Sequence, residues 1–251
     1  MSRLFDDANT DYLRIGAAVK STEPVSAAAW VYPDETVNTK YVFWMGDKDN
    51  ANQFIALNLE SSGSGNNVRA EARNDGEDPT GFAESSGTYS VNTWHHVGGV
   101  WTSDTDRDVY LDGVGANNTD TNNGGTGWDR TTFGAEDGST QSGLMSGRIA
   151  EAAVWDVSLT AAEMASLAAG FSPLLIRTKE LKFYAPLVRS IYDYILLFSI
   201  TDGNGTTVAS HPPIIYPSRP FIISRPAAAG IDFSAIDQLR QSGGMIGAVW
   251  Q

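Results

Sequence analysis

The 251-residue chain contains no cysteine. Disulfides, thiolate metal sites and cysteine nucleophiles are therefore excluded, and a chain of this length can bury a core without such staples. Charge is sparse, at 19 % of residues. Positive charge is sparser still. Residues 1–170 carry 10 Lys and Arg against 25 Asp and Glu, a charge of −15, whereas residues 171–251 carry 7 against 5, a charge of +2. The overall −13 repels phosphate, so nucleic acid is not an expected partner. Long apolar runs are missing. The longest, near 195–200 and 212–216, are far too short to span a bilayer, and no membrane insertion is expected. Residues 1–7 hold no apolar stretch of the secretory type, so no signal peptide is read there.

What is present is glycine, 25 of it, with many Asn, Ser and Thr between short apolar segments. Such a polar, weakly charged chain suits β-sheets joined by turns. Apolar–polar alternation predicts strands at 12–15, 25–32, 41–46, 53–59, 67–73, 94–102, 108–111, 131–133 and 147–155. The stretches 26–32 and 148–155 are alanine-rich, but their β-rich neighbours favour strand. One helix is predicted at 158–167, with Thr160 as N-cap, Glu163 completing a capping box and Gly170 as terminator. The fold class read from this pattern is all-β: a two-sheet antiparallel sandwich with one short helix.

Texture changes after residue 170, where seven of the ten prolines lie. We read a body at 1–189 and a proline-rich C-terminal extension at 190–251. The stretch 181–187 reads as a last strand of the body. The stretch 191–200 reads as a strand or short helix, 208–226 as extended chain without regular structure, and 231–239 as one or two helical turns. Ile214, Ile215, Phe221, Ile222 and Ile223 need a covering surface, which their own body or a neighbouring subunit would supply. Met245 and Trp250, near the end of a Gly-rich tail, either anchor in a partner or fold back.

Two motif groups carry a family resemblance. Trp94-His95-His96-Val97, followed by Val109-Tyr110-Leu111-Asp112-Gly113, resembles the W-H-V and V-Y-x-D-G hairpin of laminin-G-like and pentraxin-like domains. Gly147-Arg148-Ile149, Trp155 and Ser158-Leu159-Thr160-Ala161-Ala162-Glu163 resemble the ending of the same superfamily, and 11–15 with 25–33 its opening strands. The resemblance covers about residues 4–187 and implies the concanavalin A-like jelly roll. It also implies a calcium site. Asp49-Asn50 before a strand and Glu136-Asp137 after Thr132-Phe133-Gly134 occupy positions where pentraxin-like domains place acidic pairs, so Asp49, Asn50, Glu136 and Asp137 are the implied ligands. The family's cysteine pair is missing and the intervening loop is shorter. The alternative is four solvated turn residues.

Trp94, Trp101 and Trp155 read as packing between the sheets. Trp128, after Gly124-Gly125-Thr126-Gly127, reads as an exposed loop ring able to stack on a sugar or anchor a partner. Adjacent His95 and His96 face opposite sides of a strand and make no metal site. The acidic run Asp104, Asp106, Asp108 reads as a solvated hairpin. No strand carries the clustered carboxylates of the fold's glycoside hydrolases, and no G-x-S-x-G elbow or phosphate loop appears, so no enzyme is expected.

Two functions remain. One is a non-catalytic virion surface component, a capsid decoration or tail-associated protein assembled in the host cytoplasm and packing through its extension onto other virion proteins or its own copies. The ending near 208–217 is similar to those of laminin-G-like proteins in phage genomes. The other is a calcium-dependent, lectin-like module that attaches to surface glycan.

Overall fold

The computed structural model describes residues 2–75, 81–119, 124–188 and 191–217. In chain order its strands are β1 (Ser2–Phe5), β2 (Tyr12–Ile15), β3 (Val25–Pro33), β4 (Lys40–Gly46), β5 (Phe54–Leu59), β6 (Val68–Arg73), β7 (Gly81–Glu84), β8 (His95–Ser103) and β9 (Asp106–Leu111). They continue as β10 (Val114–Asn118), β11 (Arg130–Phe133), β12 (Glu136–Asp137), β13 (Gln141–Ser142), β14 (Gly147–Trp155), β15 (Leu181–Ala185), β16 (Ile200–Gly203) and β17 (Thr207–Ala209). The α-helix found among the described residues, α1 (Ala161–Ala168), lies between β14 and β15. Its Thr160 cap and Glu163 complete the expected capping box.

One sheet runs β10-β9-β8-β3-β14-β1-β17, with β15 also paired to β14; the other runs β16-β2-β11-β4-β5-β6-β7. Their ladders are antiparallel. The expected all-β sandwich is therefore present. Period-two alternation puts Val25, Ala27, Ala29 and Val31 of β3 into the core between the sheets, against Phe43, Leu57, Trp101 and Phe133.

A second apolar core lies on the outer face of the larger sheet. Met164 and Leu167 of α1 pack there with Val100, Tyr110 and Trp155. Gly98 makes this approach possible, since a Cβ on it would stand 2.8 Å from the Met164 sulfur. Trp155 was expected between the sheets and is instead under the helix, its indole N–H donating to the Ile176 carbonyl at 2.9 Å. The reason is a bulge. Glu151 has φ +54°, and the β14–β3 register shifts between Ala150 and Ala153. One inserted residue reverses which face every later side chain takes. Trp94 is likewise outside the core, edge-on to Tyr32. Trp101 is where it was expected, donating to the Glu71 carbonyl.

The W-H and D-G motifs meet in one structural clasp. Asp112 accepts from the His96 backbone N–H at 2.8 Å and contacts His95 Nδ1 at 2.7 Å. The Ser90 N–H donates to His95 Nε2, which assigns the His95 proton to Nδ1.

The sandwich continues past residue 189. β16 pairs with β2 at the edge of one sheet, and β17 pairs with β1 at the edge of the other. The paired strands thus reach Ala209, past the 189/190 boundary expected between body and extension. Of the elements expected at 191–200, only β16 begins there, at its last residue. Buried Asp193 instead organises this stretch, accepting from the backbone N–H groups of Tyr184, Ile195, Leu197 and Phe198. The helical turns expected at 231–239 lie outside the described residues.

Replacing Asp193 with Ala leaves four donors without their acceptor. We expect a loss of about 3 kcal/mol or more in unfolding free energy, read by urea titration; a loss below about 1 kcal/mol would remove Asp193 as the organiser. Trp101→Ala is expected to cost about 3–5 kcal/mol in the same assay.

Candidate functional site

Strand ends gather a set of polar loops at one end of the sandwich. The register that sets Val25 opposite Trp101 brings residues 22–24 beside the β8–β9 turn. The registers of Gly46 with Phe54 and of Phe54 with Arg73 bring the β4–β5 loop beside the end of β6. Gln53 joins these loops, accepting from the Thr126 N–H and donating to Asp75.

Between them opens a cleft of about 780 Å³. Thr22, Glu23, Asn74, Thr102, Ser103, Asp104, Thr105, Gly125 and Thr126 line it. Burial raises the Glu23 carboxyl above its ordinary range, and the Asp104 charge adds to this. Among the described residues the cleft's lining is of polar residue types and glycine, with no aromatic side chain. Such a surface recognises polyhydroxylated ligands by hydrogen bonding rather than by stacking. Of the acidic run, Asp104 thus faces the cleft, whereas Asp106 and Asp108 both accept from the Asn117 amide.

The loops that carry the four implied calcium ligands meet, since a Cβ built on Gly138 would stand 2.8 Å from the Ala51 Cα. The four residues do not fit a calcium site. Asp137 is gripped by Arg14 at 2.5 and 2.7 Å, with Arg130 at 3.3 Å. Two guanidinium groups occupy the oxygens a cation would need. Glu136 accepts from Ser142, Asn50 donates to Asp75, and Asp49 pairs with Lys48. A different trio, Asp47, Asp49 and Asp129, has carboxylate oxygens within 4.8 Å of one another. The Lys48 ammonium already bridges Asp49 and Asp129.

Trp128 is not an exposed ring. It is 5 % exposed, belongs to the central core, and donates its indole N–H to the Gly124 carbonyl at 2.7 Å. The glycine run that marked a loop also lets that ring sink, because any Cβ at Gly124 would collide with it. Among the candidate partner residues, Ile214 is half-buried and Ile215 is 51 % exposed. The Ile215 backbone is tied to Gly170 and Ser172. Phe221, Ile222, Ile223, Met245 and Trp250 lie outside the described residues.

One buried carboxyl escaped the sequence reading. Glu71, on the outer face of the smaller sheet, is pushed up to about 7, mainly by burial and further by the Glu60 charge, while Asn58 pulls it down. No acidic pattern marks it, since Ala70 and Ala72 flank it. In the unfolded chain it titrates near 4.5. Its contribution to stability is therefore fully present below pH 4.5 and is lost as pH rises through about 7. Glu71→Gln is expected to abolish that loss, gaining roughly 2–3 kcal/mol on the wild type between about pH 5 and pH 8. Parallel stability curves for the two proteins would contradict it.

No curated protein sequence matches the chain. Among solved structures, the native heptameric SAP-like pentraxin from Limulus polyphemus superposes with a TM-score of 0.60 at 17 % identity, covering 83 % of this chain and 94 % of that one. The Ruminococcus gnavus IT-sialidase CBM40 bound to alpha2,3 sialyllactose superposes with a TM-score of 0.52 at 14 % identity, covering 60 % and 85 %. The enzymatically active domain of bacteriophage CBA120 tailspike protein 2 gives 0.57 at 15 % identity, covering 74 % of this chain but 30 % of that one. At these identities the likeness is one of fold. The model of the concanavalin A-like lectin/glucanases superfamily, Laminin_G_3, matches residues 7–165, and the chain belongs to that family.

Proposed function

We propose that the chain is a non-catalytic glycan-binding module and that the polar cleft at the loop end holds the sugar. The cleft itself carries the reading: an opening of about 780 Å³ at one end of a lectin-type sandwich, lined by Thr, Ser, Asn, Asp and Glu residues and one glycine. A sugar presents matching donors and acceptors, and fixed strand ends hold the groups that meet them. The CBM40 bound to sialyllactose supports the reading as an example of this fold with a glycan ligand. Calcium is not required by it, because the cleft's own groups make the contacts and Asp137 is held by arginines.

A second inference concerns where the module works. The tailspike likeness and the exposed apolar side chains of Phe171 and Ile215 favour a phage virion surface, with the C-terminal part packing on other virion proteins or on copies of this chain. Mass spectrometry of purified particles tests this, and absence from particles would reject it.

Glycan arrays, with and without chelator, test the cleft. Binding is expected to persist in EDTA. Asn74→Ala and Glu23→Gln are each expected to weaken it about tenfold, the scale of one well-made hydrogen bond to a charged or amide group. EDTA-sensitive binding would restore calcium through Asp47, Asp49 and Asp129. Sugar release that falls in Glu23→Gln would overturn the non-catalytic reading.

A further inference from the structure

The bulge in β14 creates a second chemical environment, away from the cleft. At the bulge the neighbour of β14 changes: β1 pairs with Ile149 and the residues before it, and β15 pairs from Ala152 onward. Glu151 stands at the changeover and is 2 % exposed. The Tyr184 hydroxyl donates to its Oε2 at 2.7 Å, and the Tyr216 hydroxyl donates to its Oε1 at 2.8 Å. His211 Nε2 lies 3.2 Å from Oε1 and 3.3 Å from the Pro186 carbonyl, with Nδ1 2.8 Å from the Pro212 carbonyl. Among the described residues, no Lys or Arg pairs with this buried carboxylate.

Beside it is a cavity of about 240 Å³, walled by Tyr184, Tyr194, Tyr216, Leu174, Pro186 and Val188. The Tyr194 ring is fixed by stacking on Tyr192, with centroids 4.7 Å apart, and lies 5.6 Å from the Tyr184 ring. Two of the three wall hydroxyls, those of Tyr184 and Tyr216, end on Glu151. Phenols that donate to a carboxylate carry extra electron density on their ring faces. Two such rings, with that of Tyr194, around an apolar space and backed by a negative charge attract a cation that sheds water easily. A metal ion would need several oxygen ligands, and the Tyr184 and Tyr216 hydroxyls of this wall are already committed to Glu151.

We propose that this tyrosine-walled cavity binds a small quaternary ammonium group of the choline type. The positive charge would lie against the ring faces and be compensated by Glu151, and the alkyl groups would fill the apolar space. The site is independent of the glycan cleft and of the reading given to it.

Calorimetric titration of the full chain with choline chloride, near pH 8, tests the proposal, with its neutral isostere (a tert-butyl group in place of trimethylammonium) as the control. Saturable millimolar binding of choline is expected, with the isostere at least about tenfold weaker. Tyr194→Leu keeps the wall apolar while removing one π face, and is expected to weaken choline about tenfold. Glu151→Gln should do the same where it folds; Tyr194→Leu, which touches no buried charge, stands in where it does not. Competition by phosphatidylcholine vesicles would identify a lipid headgroup as the source of the cation, and lack of competition a dissolved one. No saturable choline binding, equal binding of the isostere, or unchanged affinity in Tyr194→Leu would each overturn the proposal.

Discussion

The inserted residue at Glu151 is the constraint on which the rest of this structure depends. β14 lies between β3 on one side and two successive partners on the other. A regular strand would keep a single neighbour and a single alternation. The positive φ at Glu151 breaks both. Before it, Ile149 faces the central core; after it, Ala152 and Val154 do. Ala153 and Trp155 thereby turn outward and supply the floor on which α1 rests. The second core thus follows from the same residue that frees space for β15. A φ near +54° strains a residue with a Cβ, and the surroundings hold it there through three side-chain contacts and the Glu151 N–H donating to Pro186.

Much of this was legible in the chain. The longer strands announce themselves by alternation, and the helix by Thr160 and Glu163. The order of the W-H, D-G and G-R-I motifs points to the jelly roll, and Asp112 with His95 gives that order a physical basis. What alternation cannot reveal is a change of phase. Arg148-Ile149-Ala150-Glu151-Ala152-Ala153 offers a small residue at almost every position, so nothing local locates the insertion. Short edge strands were missed for a related reason. β16 and β17 contain four and three residues, and their partners lie about two hundred positions earlier. Their stability comes from pairing, not from local preference.

The site residues show where family pattern and local chemistry part. Asp137 holds the sequence position of an implied calcium ligand, but Arg14 and Arg130 come from β2 and β11, neighbours only in the folded sheet. A guanidinium fork and a calcium ion compete for the same oxygens, and the fork is covalently tethered to the site. Trp128 teaches the complementary lesson. A glycine-rich approach marks a loop, yet it also removes the side chains that would keep a large ring out of the core.

The two candidate binding environments differ in what they can deliver energetically. The cleft exchanges water hydrogen bonds for sugar hydrogen bonds, and each exchange nets little. Among the described residues no aromatic plate lines it to add apolar burial. Affinity for a single sugar on the proposed reading is therefore modest, and attachment to a glycan surface has to come from several copies acting together. The cavity beside Glu151 is the reverse case: small, apolar and backed by a buried charge, it would draw its affinity from one ion in a dry space. The cleft thus rewards multiplicity, and the cavity rewards fit. A fold that separates its loop end from its strand bulge keeps these demands from competing for the same residues.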